Sequence, residues 1–144
     1  DYTMRRFTLQ RYAPDGRLVA KLEGREMRHY PAGDRIEIDE LVLHAWAPDG
    51  RLTTATARQA VSNGRASELE LKGGAEVIGT DEDGSPVEIR SEFLQAFIEQ
   101  RVVRTPQPVT VRHGASQLRA VGLHYDMNKR TLDFLGPVKA TLQV

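Results

Sequence analysis

The sequence predicts an all-β fold of a dozen or more antiparallel strands, built from about four repeats. Asp-Gly pairs at residues 15–16, 49–50 and 83–84 recur with a constant spacing of 34 residues. Between these pairs, apolar and polar residues alternate in short runs, and such alternation places one face of a strand in an apolar interior. Asp-Gly is also favoured in tight hairpin turns, because glycine readily adopts the positive φ that these turns need.

The alternating runs define the strands in order along the chain. They include residues 35–39 in the first repeat, 68–72 in the second and 87–90 in the third. A fourth, shorter copy begins near Gly114 and contains the run 131–134. Each repeat has room for about three short strands, which leads to the predicted dozen or more.

Residues 91–104 also fit a helix, because their apolar side chains lie close to helical spacing. The equivalent stretches of the other repeats contain Gly24 and Gly64, which disfavour helices. We therefore predict strand for 91–104. The alternation breaks at Asp39 and Glu40, so the side of the sheet on which Trp46 lies stays open.

Composition narrows the class of protein. The chain has 144 residues with 20 basic and 20 acidic side chains, and this balance argues against nucleic acid as the main partner. No run approaches the ~18 apolar residues that a membrane helix requires. Cysteine is absent, which excludes disulfides and thiolate metal sites. We expect a single soluble domain over residues 1–144.

No arrangement of residues typical of catalysis is found. The histidines His29, His44, His113 and His124 are dispersed and form no pair at metal-ligand spacing. The acidic residues at 81–83 resemble the start of a calcium loop but lack the later ligands. We therefore expect no enzymatic activity, no cofactor and no metal site.

The interior and the two ends of the sheet remain as functional candidates. The interior is either a fully packed core or a partly open groove that holds an apolar ligand, and the alternation leaves both possibilities open. A sheet that does not close leaves edge strands able to pair with another chain. The last run, residues 138–144, has no proline and one charge, so it suits the addition of a partner strand.

The order and spacing of several segments resemble one known family. Residues 2–9 (YTMRRFTL), 12–18 (YAPDGRL) and the turn 29–31 (HYP) are similar to the opening segment of the LptC family of periplasmic lipopolysaccharide-export proteins. Residues 109–123, with Gly114 and Gly122, are similar to that family's last third. The resemblance implies a twisted, open β-jellyroll. It also implies the periplasmic domain of an inner-membrane-anchored protein, here without its N-terminal membrane helix.

The resemblance further implies lipopolysaccharide transport. Family members receive lipopolysaccharide from an ATP-driven ABC transporter complex in the inner membrane and pass it to a periplasmic bridge protein of similar jellyrolls. Matched by position, the family's lipid-contacting sites are Phe7, Ile38, Leu132 and Leu142. The alternation adds further inward-facing lipid-binding candidates, which are Leu9, Ile36 and Phe134.

Two segments are the candidates for partner contacts. Residues 2–12 are expected to face the jellyroll of the transporter, and residues 138–144 to pair with the bridge protein by their edge strand. The predicted partner-binding residues are Phe7, Leu9, Val138, Ala140, Leu142 and Val144. The alternatives are a packed scaffold that acts only through β-pairing, and a carrier of another lipid such as phospholipid.

Overall fold

A computed structural model describes residues 2–81 and 83–141. Ten antiparallel strands form one sheet, and no helix is present in these residues. The strands are β1 (Tyr2–Tyr12), β2 (Leu18–Tyr30), β3 (Arg35–Trp46), β4 (Leu52–Asn63), β5 (Glu68–Thr80), β6 (Pro86–Phe97), β7 (Val102–His113), β8 (Ser116–Asp126), β9 (Thr131–Phe134) and β10 (Val138–Thr141). Within the same residues, no helix is long and apolar enough to cross a membrane.

The all-β antiparallel fold is confirmed, but the predicted strand count was too high. Each strand from β1 to β8 pairs with its neighbour in sequence, so the chain runs up and down through long strands of 11 to 13 residues. The predicted runs 69–71 and 77–78 both belong to β5, because Gly73 and Gly74 bend this strand without ending it. The strand prediction for 91–104 is confirmed, with a turn at 98–101 between β6 and β7.

The three Asp-Gly pairs form the same turn. In each, a backbone N–H donates to the carbonyl four residues later, from Ala13 to Arg17, Ala47 to Arg51, and Asp81 to Ser85, at 2.8 to 2.9 Å. The φ of the glycines is +88°, +88° and +81°, in the region that favours glycine. The 34-residue period therefore corresponds to two strands and the two turns at opposite ends of the sheet.

The long strands are irregular near their middle, and the irregularity changes which residues face inward in β2, β3, β4, β6 and β8. In β3, Glu40 has a φ of +55° and the alternation reverses there, so Ile36 and Ile38 are buried before it and Leu41 and Leu43 after it. The same change of phase places Trp46 on the outer face, where its ring stacks on His44 with centroids 6.1 Å apart. The neighbouring strands β2 and β4 reverse their alternation at the same level, so the register of β3 with both is the same on either side of Glu40.

These irregularities lie side by side across the sheet, and the sheet bends over itself there. Thr53 on β4 and Met127 after β8 belong to strands four apart, which is about 19 Å along a flat sheet. Their side chains nevertheless approach to 3.6 Å between Oγ1 and Sδ. The Arg11 guanidinium likewise reaches the carbonyls of Arg65 and Ala66 at 3.3 Å. The bend encloses the apolar core between the two halves of the sheet, which are the parts on either side of these irregularities.

The sheet is open, because its first and last strands do not pair with each other. Among the described residues, β1 pairs with β2 alone, and β9 and β10 both pair with β8. β9 and β10 lie one after the other along β8 and are separated by residues 135–137. Opposite this break, Gly122 has a φ of +91°.

Candidate functional site

The predicted lipid-binding residues of β1 and β3 meet in the interior. Phe7 and Ile38 are 6% and 1% exposed, and Gly24 of β2 lies between them in the paired strands. A Cβ on Gly24 would stand 2.6 Å from Phe7 Cε1 and 2.7 Å from Ile38 Cγ2. The absence of a side chain at Gly24 is therefore what lets the Phe7 ring and Ile38 pack against the backbone of β2.

The remaining lipid-binding candidates lie on the same inner side. Ile36 is 5% exposed, and Leu9 is half-buried opposite Leu22. Leu132 and Phe134 of β9 are half-buried against the core, opposite Tyr125 and Leu123 of β8. The structure thus places six of the seven candidates around one interior, while Leu142 lies outside the described residues.

The partner-binding candidates lie on the two unpaired edges. Phe7 and Leu9 belong to β1, and Val138 and Ala140 belong to β10. Val138 is 44% exposed, and its position opposite the buried Ala120 places it at the inner rim of the sheet. Leu142 and Val144 lie outside the described residues. Each edge therefore offers backbone N–H and C=O groups beside apolar side chains.

The interior is closely packed between these edges. Its largest side chains are less than 2% exposed, among them Leu22, Met27, Leu71, Ile89, Leu94 and Leu123. A cavity of about 30 Å³ lies towards one end, lined by Leu43, Ala45, Val77, Val103, Arg101 and Met127 among others. This volume is about that of one water molecule in the liquid.

An ion-pair network covers the outer face beside the irregularity of β3 at Glu40. Arg28 donates two hydrogen bonds of 3.0 Å to the carboxylate of Asp39 and a third of 3.0 Å to Glu26. These bonds lower the pKa of Asp39 below its ordinary value and raise that of Arg28. The network holds β2 and β3 together on the side opposite Ile38, where the backbone pairing is interrupted.

The histidines are not brought together. His29 Nε2 lies 2.9 Å from Asp34, and His113 Nε2 lies 2.5 Å from Asp81 at the opposite end of the strands. The bond from His113 lowers the pKa of Asp81. In residues 2–81 and 83–141, no group of three or more His, Cys, Asp or Glu side chains could hold a metal ion.

A cluster of arginines at the end of the interior was not found from the sequence. Arg101 is 9% exposed, and its Nε is buried without a hydrogen-bond partner. Nearby, Asp49 Oδ2 lies 2.8 Å from Arg51 Nε and 3.8 Å from Arg130 Nη2. Burial lowers the pKa of Arg101, and Asp49 and Arg51 both act on it electrostatically. These four residues come from turns at opposite ends of the strands, so only the bending of the sheet brings them together.

Comparison with known proteins gives one family and one fold. Residues 1–143 match the family described as lipopolysaccharide-assembly, LptC-related. No curated protein gives a significant match. A similar solved structure is LptH from Pseudomonas aeruginosa, described as the LptA-homologous periplasmic component of the lipopolysaccharide transport device. The likeness has a TM-score of 0.69 at 11% identity, and covers 87% of this chain and 95% of LptH.

Proposed function

Because the chain belongs to the LptC-related family of lipopolysaccharide-assembly proteins, whose members are periplasmic, non-enzymatic transport proteins, we propose that it carries out one step of lipopolysaccharide transport. It receives lipopolysaccharide from an ATP-driven extractor in the inner membrane, shelters the acyl chains in its interior, and passes the lipid to a periplasmic bridge protein. In this proposal the domain is held at the inner membrane by an anchor.

The observation that carries this proposal is the apolar interior bounded by two unpaired edge strands. Each buried methylene contributes about 0.8 kcal/mol, so exposing a chain of about a dozen carbons to water costs on the order of 10 kcal/mol. An interior that continues into those of neighbouring jellyrolls removes this barrier. Edge strands supply the backbone groups that would join such jellyrolls.

We propose that β1 faces the jellyroll of the transporter and that β10 pairs with the bridge protein. Phe7 and Leu9 would contact the transporter, while Val138 and Ala140, with Leu142 and Val144 beyond the described residues, would contact the bridge. Val138 and Ala140 lie on the inner face of the sheet, which supports this assignment. A strand added to β10 would extend this apolar face as well as the sheet.

The close packing of the interior requires the two halves of the sheet to separate when lipid enters. A cavity of about 30 Å³ does not accept an acyl chain. The halves are joined by side-chain contacts such as Thr53 with Met127, while each strand from β1 to β8 pairs with its neighbour on both sides of the bend. Separation of these side-chain contacts would expose the interior and leave the backbone hydrogen bonds of the sheet in place.

The packing also supports a second candidate, a scaffold that acts only through its edges. The two candidates differ at Ile38, whose side chain is 1% exposed towards the interior, and Glu37, whose side chain lies on the outer face. A photoreactive residue is placed at each position, and the protein is exposed to lipopolysaccharide together with the ATP-driven extractor. Transport predicts lipid adducts at Ile38 and few or none at Glu37.

The same method tests the partners. A photoreactive residue at Ala140 is expected to crosslink to the bridge protein, and one at Glu37 provides the matched control. Adducts at neither Ile38 nor Glu37 in a folded protein, combined with crosslinks at Ala140, would favour the scaffold. Adducts at Ile38 with phospholipid in preference to lipopolysaccharide would instead identify a carrier of another lipid.

A further inference from the structure

We propose that Arg101, together with Arg51, forms an anion subsite that binds the phosphate group of an acylated amphiphile whose chain enters the interior. The inference rests on the proposed function, since it requires the interior to admit an acyl chain. It goes further by assigning a place and a chemistry to the polar end of the ligand.

The burial of Arg101 is the first support. Its side chain lines the small apolar cavity beside Met127 and Val103, and its Nε has no hydrogen-bond partner. Among the described residues, no carboxylate forms an ion pair with it. Buried arginines are ordinarily paired, because an unsatisfied buried charge is unfavourable. An N–H group left free at the end of an apolar cavity is therefore suited to a ligand that carries its own negative charge.

The turn that holds Arg101 does not require an arginine. Arg101 has a φ of +56° at the end of its hairpin, and Ala66 occupies the corresponding position of the β4–β5 hairpin with a φ of +55°. Both residues donate their backbone N–H to the carbonyl three residues earlier, which closes the turn. Since alanine serves this geometry, the arginine side chain is not explained by the backbone.

The charge around Arg101 matches a phosphate. Among the described residues, the carboxylate of Asp49 is bound by Arg51 at 2.8 Å, while Arg101 feels both charges and forms no ion pair of its own. A phosphate monoester carries between one and two negative charges at neutral pH, and guanidinium groups match its oxygens in bidentate geometry. Arg51 is partly exposed beside Asp49 and lies close enough to Arg101 to act on its charge, so we assign both guanidinium groups to the subsite.

The test compares three probes by isothermal titration calorimetry below their micelle concentrations. Decyl phosphate and decyl glucoside share one chain and differ in charge, while inorganic phosphate has the charge without the chain. We expect the wild type to bind decyl phosphate about tenfold more tightly than decyl glucoside, as one charge-assisted contact would provide. Inorganic phosphate alone should bind much more weakly than decyl phosphate.

Three arginine variants test which side chains produce the preference for decyl phosphate over decyl glucoside. Arg101→Gln is expected to reduce the tenfold ratio to about one, and Arg51→Gln to reduce it in part. Arg17→Gln is the matched control, because Arg17 follows the equivalent Asp-Gly turn, is exposed and is not among the charges that act on Arg101, so its ratio should not change. Circular dichroism verifies folding, and Arg51→Gln decides the test if Arg101→Gln does not fold.

Each other outcome overturns part of the reasoning. A ratio that stays near ten in both Arg101→Gln and Arg51→Gln places the anion elsewhere. Equal binding of the two amphiphiles to the wild type refutes the subsite and leaves the proposed function intact. Binding of neither amphiphile counts against both. Equal affinities for inorganic phosphate and decyl phosphate would indicate a site for free phosphate without a chain.

Discussion

Gly24→Ala tests whether the packing of Phe7 and Ile38 depends on the missing side chain between them. The new Cβ would lie 2.6 Å from Phe7 Cε1, 2.7 Å from Ile38 Cγ2 and 3.1 Å from the carbonyl oxygen of Asp39. Carbon atoms do not approach this closely, so the Phe7 ring or Ile38 must move. Overpacking of this kind costs about 1–3 kcal/mol. In a domain of this size, the melting temperature should fall by about 3–10 °C.

Gly79→Ala is the matched control for this measurement. Gly79 is also a strand glycine without a positive φ, but its Cβ would meet Thr53 Oγ1 at 3.5 Å and Tyr125 Oη at 3.8 Å, which are ordinary contacts. Replacing glycine by alanine at such a site reduces the entropy of the unfolded chain and stabilises by about 0.4–1 kcal/mol. The two substitutions should therefore shift stability in opposite directions.

The assay is thermal and urea denaturation of both variants, followed by circular dichroism. Gly24→Ala should also loosen β1, which hydrogen exchange of the β1 amides would detect, while the amides of β6 and β7 keep their protection. A Gly24→Ala protein as stable as the wild type would refute the reasoning. It would mean that Phe7 does not lie against the backbone of β2 as described.

Two further predictions concern the ion pair of Asp39 on β3 and the break between β9 and β10. Asp39→Asn should lower the free energy of unfolding by about 1–2 kcal/mol at neutral pH, because Arg28 loses two charge-assisted hydrogen bonds. The folded pKa of Asp39 lies below its ordinary 3.8, so its contribution is complete above that value and is lost as the pH falls through the folded pKa. Urea titrations at several pH values should show the difference from wild type vanishing in acid, and a difference independent of pH would contradict this assignment. Gly122→Ala should destabilise by about 1–3 kcal/mol and speed hydrogen exchange in β9 and β10, because φ is +91° and the new Cβ would lie 2.7 Å from Leu135 Cβ. Gly114→Ala, with a φ of +60° and open space around it, separates backbone strain from contact, and equal losses in the two variants would show that Leu135 is not involved.

Local signals in the sequence were sufficient for the fold class. Alternation within runs such as 35–39 and 68–72 depends only on the two-residue period of a strand, and the Asp-Gly turns depend only on the φ of glycine. Both act over a few residues, so both can be recognised without knowing the partners of each strand. The inward position of Ile36, Ile38, Leu132 and Phe134 was predicted for the same reason.

The strand count failed because a bulge and a strand end have the same local signature. Gly73 and Gly74 interrupt the alternation in β5, yet pairing with β4 and β6 resumes on the far side. Whether a strand continues past such a point depends on its neighbours in the sheet. For the same reason the sequence left open which face of the sheet Trp46 lies on, because the alternation reverses at Glu40.

The sequence by itself determined an antiparallel β-structure with repeated turns, an apolar face and a recognisable family resemblance, because period and turn chemistry are encoded over short distances. Only the tertiary structure decided that the sheet bends over itself and closes its interior. The same bend brings Asp49, Arg51, Arg101 and Arg130 together from turns far apart in the chain. Burial of a charge is a property of all the surrounding strands, so no short segment of the sequence specifies it.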